Sequence, residues 1–135
     1  MQTAKKNVQT SKRTEFIDIT RELNAYLRKN NCKSGIMTVF TPHTTAAITI
    51  NENADPDVPR DLSRKINEMI PKDEHYYRHY EGNSDSHMKS SLFSPSLNLI
   101  VEDGKLILGI WQAVFFCEFD GPRNRNYFIK VMEDA

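Results

Sequence analysis

The chain has 135 residues, enough for one compact domain, with 18 basic and 18 acidic side chains and a pI near 6.9. That balance gives no overall field for nucleic acid or an anionic membrane, and no run approaches the roughly 18 apolar residues of a membrane span. The stretch MQTAKKNVQTSK lacks the apolar core of a secretory signal, and Cys32 and Cys117 form no CxxC pair, so the expectation is a soluble cytoplasmic protein without a disulfide framework.

In chain order, residues 2–9 and 14–19 read as two early strands, and the basic residues Lys5, Lys6, Lys12 and Arg13 read as a solvated edge. Thr20 is placed to cap a helix through about Lys29, with Leu23, Tyr26 and Leu27 on one face and NNCKSG as its stop. GIMTVFT (35–41) is nearly continuous and β-branched, which suits a strand covered on both faces. TAAITIN (45–51) alternates, with Ala46, Ile48 and Ile50 on one side. Pro56 and Pro59 open a second helix, where Val58, Leu62, Ile66 and either Met69 or Ile70 make a buried stripe. Pro71 ends it. Residues 72–87 read as a polar, aromatic loop, and HMKSSLF as one or two helical turns. Strands are expected at 97–101, 105–111, 113–119 and 126–132, with tight turns at Asp103-Gly104 and at DGPRN. The pattern predicts a single α+β domain, 1–135, with a mostly antiparallel sheet and two main helices.

Three segments carry candidate chemistry. His43 and the cluster Asn51, Glu52, Asn53, Asp55 and Asp57 bracket the alternating strand. Among the four histidines, His75 and His79 are four apart, but aromatic loop packing explains them as well as ligation does. Imidazoles brought together from different segments would form an open metal triad; spacing alone does not show that convergence. In GNSDSHMKSSL (82–92), a helix start with Lys89, Ser90 and Ser91 would suit a phosphate, and an ordinary capped turn would look the same. In GIWQAVFFCEFDGPRNR (109–125), Glu118 sits inside an apolar strand, where a carboxylate is costly unless paired or at a site. Trp111 and Gln112 stand at a strand junction, and Arg123 could fork onto a phosphate or a carboxylate.

Taken together, HTTAAITINENADPDV (43–58), YRHYEGNSDSHMKSSL (77–92) and DGKLILGIWQAVFFCEFDGPR (103–123) resemble the secondary thiamine-phosphate synthases, also called the YjbQ family. The resemblance covers essentially the whole chain. It implies a β-sandwich-like α+β fold, a homotrimer and a polar cleft near the subunit boundary. It also implies that His43, His79 and His87 converge, on a divalent metal such as zinc, magnesium or manganese; His75 falls outside the pattern. On this reading His43, His87, Glu118 and Asp55 carry the chemistry, and Asn53, Lys89, Ser90, Ser91, Trp111, Gln112 and Arg123 hold a small phosphorylated molecule. The implied reaction joins a pyrimidine pyrophosphate to a thiazole phosphate with release of pyrophosphate. The alternatives are a trimeric metal- or phosphometabolite-binding protein and a metal-dependent hydrolase using the same cleft.

Overall fold

The computed structural model describes residues 2–135. Two antiparallel sheets face each other. The larger contains β1 (Ala4–Gln9), β8 (Asn124–Glu133), β3 (Gly35–Phe40), β5 (Ser96–Glu102) and the short β6 (Lys105–Leu106), in that spatial order. The smaller contains β2 (Glu15–Asp18), β7 (Gln112–Glu118) and β4 (Ala46–Glu52), with β7 in the middle. Two helices, α2 (Asp57–Met69) and α3 (Ser84–Phe93), lie against the far side of the smaller sheet. The remaining helix, α1 (Thr20–Lys29), lays Leu23, Tyr26 and Leu27 into the core between the sheets. No helix among the described residues is long and apolar enough to cross a membrane.

Period-two alternation explains this layering. On β4, Ala46 and Ile48 point into the core between the sheets and Ala47 points to the helices. On β7, Val114 and Phe116 face the other sheet, while Ala113, Phe115 and Cys117 face α2 and α3. The strand covered on both faces along nearly all its length is therefore β7, and β4 is so covered only at its start. The run 35–41 was expected to fill that role, but β3 alternates strictly and leaves Ile36 and Phe40 more than 40% exposed.

Other expectations are corrected in detail. Thr20 is the first helical residue rather than the cap: Asp18 Oδ1 accepts its N–H at 2.9 Å, and its hydroxyl accepts the Val114 N–H at 2.8 Å. On α2 the buried residue is Ile66, with Ile70 packed beside it, and Met69 points to solvent. The strand expected over 105–111 stops at Leu106, because Gln112 turns back on Gly109 with two hydrogen bonds and leaves Trp111 exposed. HMKSSLF belongs to a ten-residue helix, so the domain has three helices. The Asp103-Gly104 turn forms as read, with φ of 53° and 78°, both in the left-handed region a two-residue hairpin needs.

Among the described residues, no element covers the outer face of the larger sheet where Ile36, Ile100 and Met132 stand. Ile36 on β3 pairs across to Ile100 on β5 and Met132 on β8, and all three are exposed. Next to this row Gly35 adopts φ 151°, and a Cβ there would overlap the carbonyl oxygen of Met132. Substituting Gly35→Ala is expected to cost about 2–4 kcal/mol, read as a lower urea midpoint; an unchanged midpoint would show that β3 and β8 separate freely.

Candidate functional site

The cleft forms where α3 passes the start of β4. α3 is an unusual helix: it buries Asp85, Ser86, Lys89 and Ser90 and exposes Met88 and Leu92. Its inward face is held by polar bonds. Ser90 Oγ donates to the Ala46 carbonyl at 2.6 Å, and Ser86 Oγ donates to the Phe119 carbonyl at 2.6 Å. Lys89 Nζ lies 2.7 Å from both Asp85 Oδ2 and Asn67 Oδ1, and Arg13 clamps the same carboxylate with two bonds of 3.0 Å. Arg13 is thus part of a buried network, not of the solvated edge expected from sequence.

The outward face of α3 borders two adjoining cavities. One, of about 760 Å³, has Ile70, Met88 and Leu92 as its apolar wall and His79 and His87 as its polar part. The other, of about 410 Å³, lies between Phe40, Pro42 and His43 on one side and His87 and Ser91 on the other. His87 and Ser91 line both. The His79 and His87 rings meet edge to face, with centroids 5.3 Å apart. The structure therefore places His43, His79 and His87 around one cleft.

At the His43 end a buried ion pair joins the two sheets. Glu118, fully buried at the end of β7, takes two charge-assisted bonds from Arg125 on β8, one of them 2.8 Å long. Thr10 Oγ1 and the Asp120 N–H complete its coordination at 2.8 and 3.0 Å. The Asn126 N–H donates to His43 Nε2 at 3.1 Å. Burial lowers the pKa of His43, and the positive charge of Arg125 lowers it further, against the opposing pull of Glu118.

The remaining candidates do not gather here. Asn53, Asp55, Trp111 and Gln112 lie at the opposite end of β4, roughly 20 Å away at about 3.3 Å per residue. There Asn53 Nδ2 donates to Asp18 Oδ2 at 2.8 Å and its N–H donates to the Trp111 carbonyl at 3.0 Å. Asp55 Oδ1 accepts the Asp57 N–H at 2.9 Å, in the turn that leads into α2. Arg123 stays near the cleft end, folded back onto the carbonyl and carboxylate of Asp120 at 2.8 and 2.9 Å. Glu118 is a buried ion-pair partner that touches no open space. Lys89, fully buried beside Asp85 and bonded to Asn67, does not reach the cleft as a phosphate ligand. Ser91 Oγ donates back to the His87 carbonyl at 3.0 Å.

A divalent metal on the three histidines needs three converging lone pairs. His43 Nε2 already accepts the Asn126 N–H, and among the described residues no group of three or more His, Cys, Asp or Glu stands where it could hold a metal ion. The residues as arranged within one chain do not fit that metal. Arg125, Thr45 and Asn126 were missed in the sequence. The available signal was alternation: Arg125 falls on the same inward face of β8 as Tyr127, Ile129 and Val131.

Fold and cleft define the class: a two-sheet α+β protein with an imidazole-flanked cleft beside its third helix. The chain belongs to the UPF0047 YjbQ-like family, whose model matches residues 4–134. The UPF0047 protein YugU of Bacillus subtilis is 54% identical over 125 residues, 93% of this chain and 95% of its own length. A UPF0047 protein of Methanocaldococcus jannaschii is 47% identical, over 96% of this chain and 94% of its own. A crystal structure of a YjbQ/UPF0047 family protein from Clostridium acetobutylicum superposes with a TM-score of 0.92 at 46% identity, covering 96% of this chain and 99% of that one.

The buried network sets an acid limit. Burial alone would raise the pKa of Asp85, but the hydrogen bonds from Arg13 and Lys89 outweigh it and hold the carboxyl below its usual range. A folded pKa below the unfolded one stabilises above the usual carboxylate pKa of about 4, and that stabilisation is lost as pH falls through the depressed value. Lys89→Met removes one of the two cations that depress it. Acid unfolding followed by circular dichroism is expected to begin at higher pH in this variant, with about 3–5 kcal/mol lost at neutral pH.

Proposed function

We propose that the cleft around His87 receives a small phosphorylated molecule, and that its histidines assist the weak transferase reaction that joins a pyrimidine pyrophosphate to a thiazole phosphate. The observation that carries this reading is the position of His87: it borders both cavities, touches the His79 ring and faces His43 across the smaller cavity. Two reactants can occupy adjoining spaces on either side of one imidazole. The larger, apolar-walled space suits a heteroaromatic ring. When pyrophosphate leaves, negative charge builds on its oxygens, and donors aimed at that charge lower the barrier. Imidazoles supply such donors, because their proton can be held or released near neutral pH. Glu118 and Arg125 act behind His43, and Asp55 sits in the turn before α2.

His87→Ala is expected to reduce thiamine-phosphate formation by about 100-fold or more while the melting temperature stays within a few degrees of wild type. Product formation at the wild-type rate would remove His87 from the chemistry.

A binding protein without turnover is the second reading, favoured by one observation: Lys89 and Ser90, which could have gripped a phosphate, are bonded internally. Thermal shift with inorganic phosphate and pyrophosphate separates the two. A binder gains stability with saturation alone, and its ligand is recovered unchanged after long incubation.

The homotrimer remains part of the proposal. The uncovered row Ile100–Ile36–Met132 supports self-association, since isolated domains rarely leave such a cross-strand apolar row facing water. Light scattering is expected to give three times the 15.6 kDa chain mass, and Ile36→Glu is expected to lower it. A wild-type monomer would contradict the assembly.

A further inference from the structure

We infer that His43 serves the cleft as a fixed hydrogen-bond donor, with its ring proton on Nδ1, and that Arg125–Asn126 is the positioning element that holds it in that form. The inference deepens the reading of the cleft as a small-molecule site, and its ligand-side consequence rests on that reading.

A backbone N–H can only donate. Asn126 donates to Nε2 of His43 at 3.1 Å, so Nε2 carries no proton. The neutral ring then keeps its one proton on Nδ1. His43 lines the smaller cavity, which leaves Nδ1–H as the polar group it can offer there. A ligand atom that meets it must be an acceptor, such as a phosphate or carboxylate oxygen or an unprotonated ring nitrogen. Cations are disfavoured at the same place.

The loop that carries His43 is stitched to the same two residues of β8 at three points. Thr41 Oγ1 donates to the Asn126 carbonyl at 3.0 Å. The Asn126 N–H meets the ring itself. Arg125 Nη2 donates to Thr45 Oγ1 at 2.7 Å. Arg125 has no freedom to leave, because Glu118 holds the guanidinium from below and Thr10 holds Glu118. The charged groups around the ring are Arg125, Arg123 and Glu118. Burial and the two cations lower the pKa of the ring, against the opposing pull of Glu118.

The test is nuclear magnetic resonance on protein carrying 15N-labelled histidine rings, with no ligand, at about pH 8, where an imidazole is neutral. His43→Asn identifies the His43 signals by their disappearance. The expected result is an Nδ1–H signature for His43 in the wild type, in contrast to the Nε2–H form that solvent-exposed histidines favour. Arg125→Lys, which cannot hold Glu118 and Thr45 together, is expected to shift His43 to an averaged or Nε2–H signature. If that variant does not fold, Thr41→Val removes one stitch without touching the ion pair and is read the same way. An Nε2–H wild type overturns the inference, and a wild-type signature retained in the folded variant overturns the positioning role. Because no substrate is present, failure of the transferase assay leaves this result standing, and failure here leaves the role of His87 standing.

Discussion

The Glu118–Arg125 ion pair is the constraint around which the cleft end of the molecule is arranged. It crosses from β7 in one sheet to β8 in the other, with Glu118 fully buried and Arg125 nearly so. Burying two charges carries a desolvation penalty of several kcal/mol per ion, and an apolar pair could fill the same space. An apolar pair could not direct its neighbours. The guanidinium reaches on to Thr45, the carboxylate takes Thr10 and the Asp120 N–H, and the strand ends on both sides are fixed relative to each other. The gain is geometry at the mouth of the cleft.

The helix layer depends on a separate buried charge network. Arg13 precedes β2, Asn67 belongs to α2, and Asp85 and Lys89 belong to α3; Arg13 and Lys89 meet at the Asp85 carboxylate, and Lys89 carries the link on to Asn67. α2 and α3 also share apolar contacts through Ile66, Phe93 and Phe119, with Phe93 and Phe119 rings 5.2 Å apart. The cleft thus lies between parts held together by different means. His43 stands on the sheet side, His87 on the helix side.

Most of the fold was legible because alternation and helical spacing act locally. The stripe of α1, the two-residue turn at Asp103-Gly104 and the strands β4, β5 and β8 follow from their own residues. α3 was legible only in part. Its interior partners are polar, so the spacing of apolar residues says little, and its outward Met88 and Leu92 would point the wrong way if taken as core. The reading of residues 43–57 failed for a different reason. His43 and Asp55 are close in sequence, but the extended strand between them carries its two ends roughly 20 Å apart. The histidine grouping came from the resemblance, and Arg125 required seeing that an inward strand position held a charge.

The inverted polarity of α3 separates the fate of the cleft from that of the core. None of the residues of this helix enters the cluster between the sheets. Its attachment adds carbonyl, hydroxyl and ionic contacts to the packing of Phe93 on Phe119, and that polar share weakens under different conditions from a hydrocarbon interior. The helix side of the cleft therefore answers to pH through Asp85 and its partners in a way that the apolar core between the sheets does not.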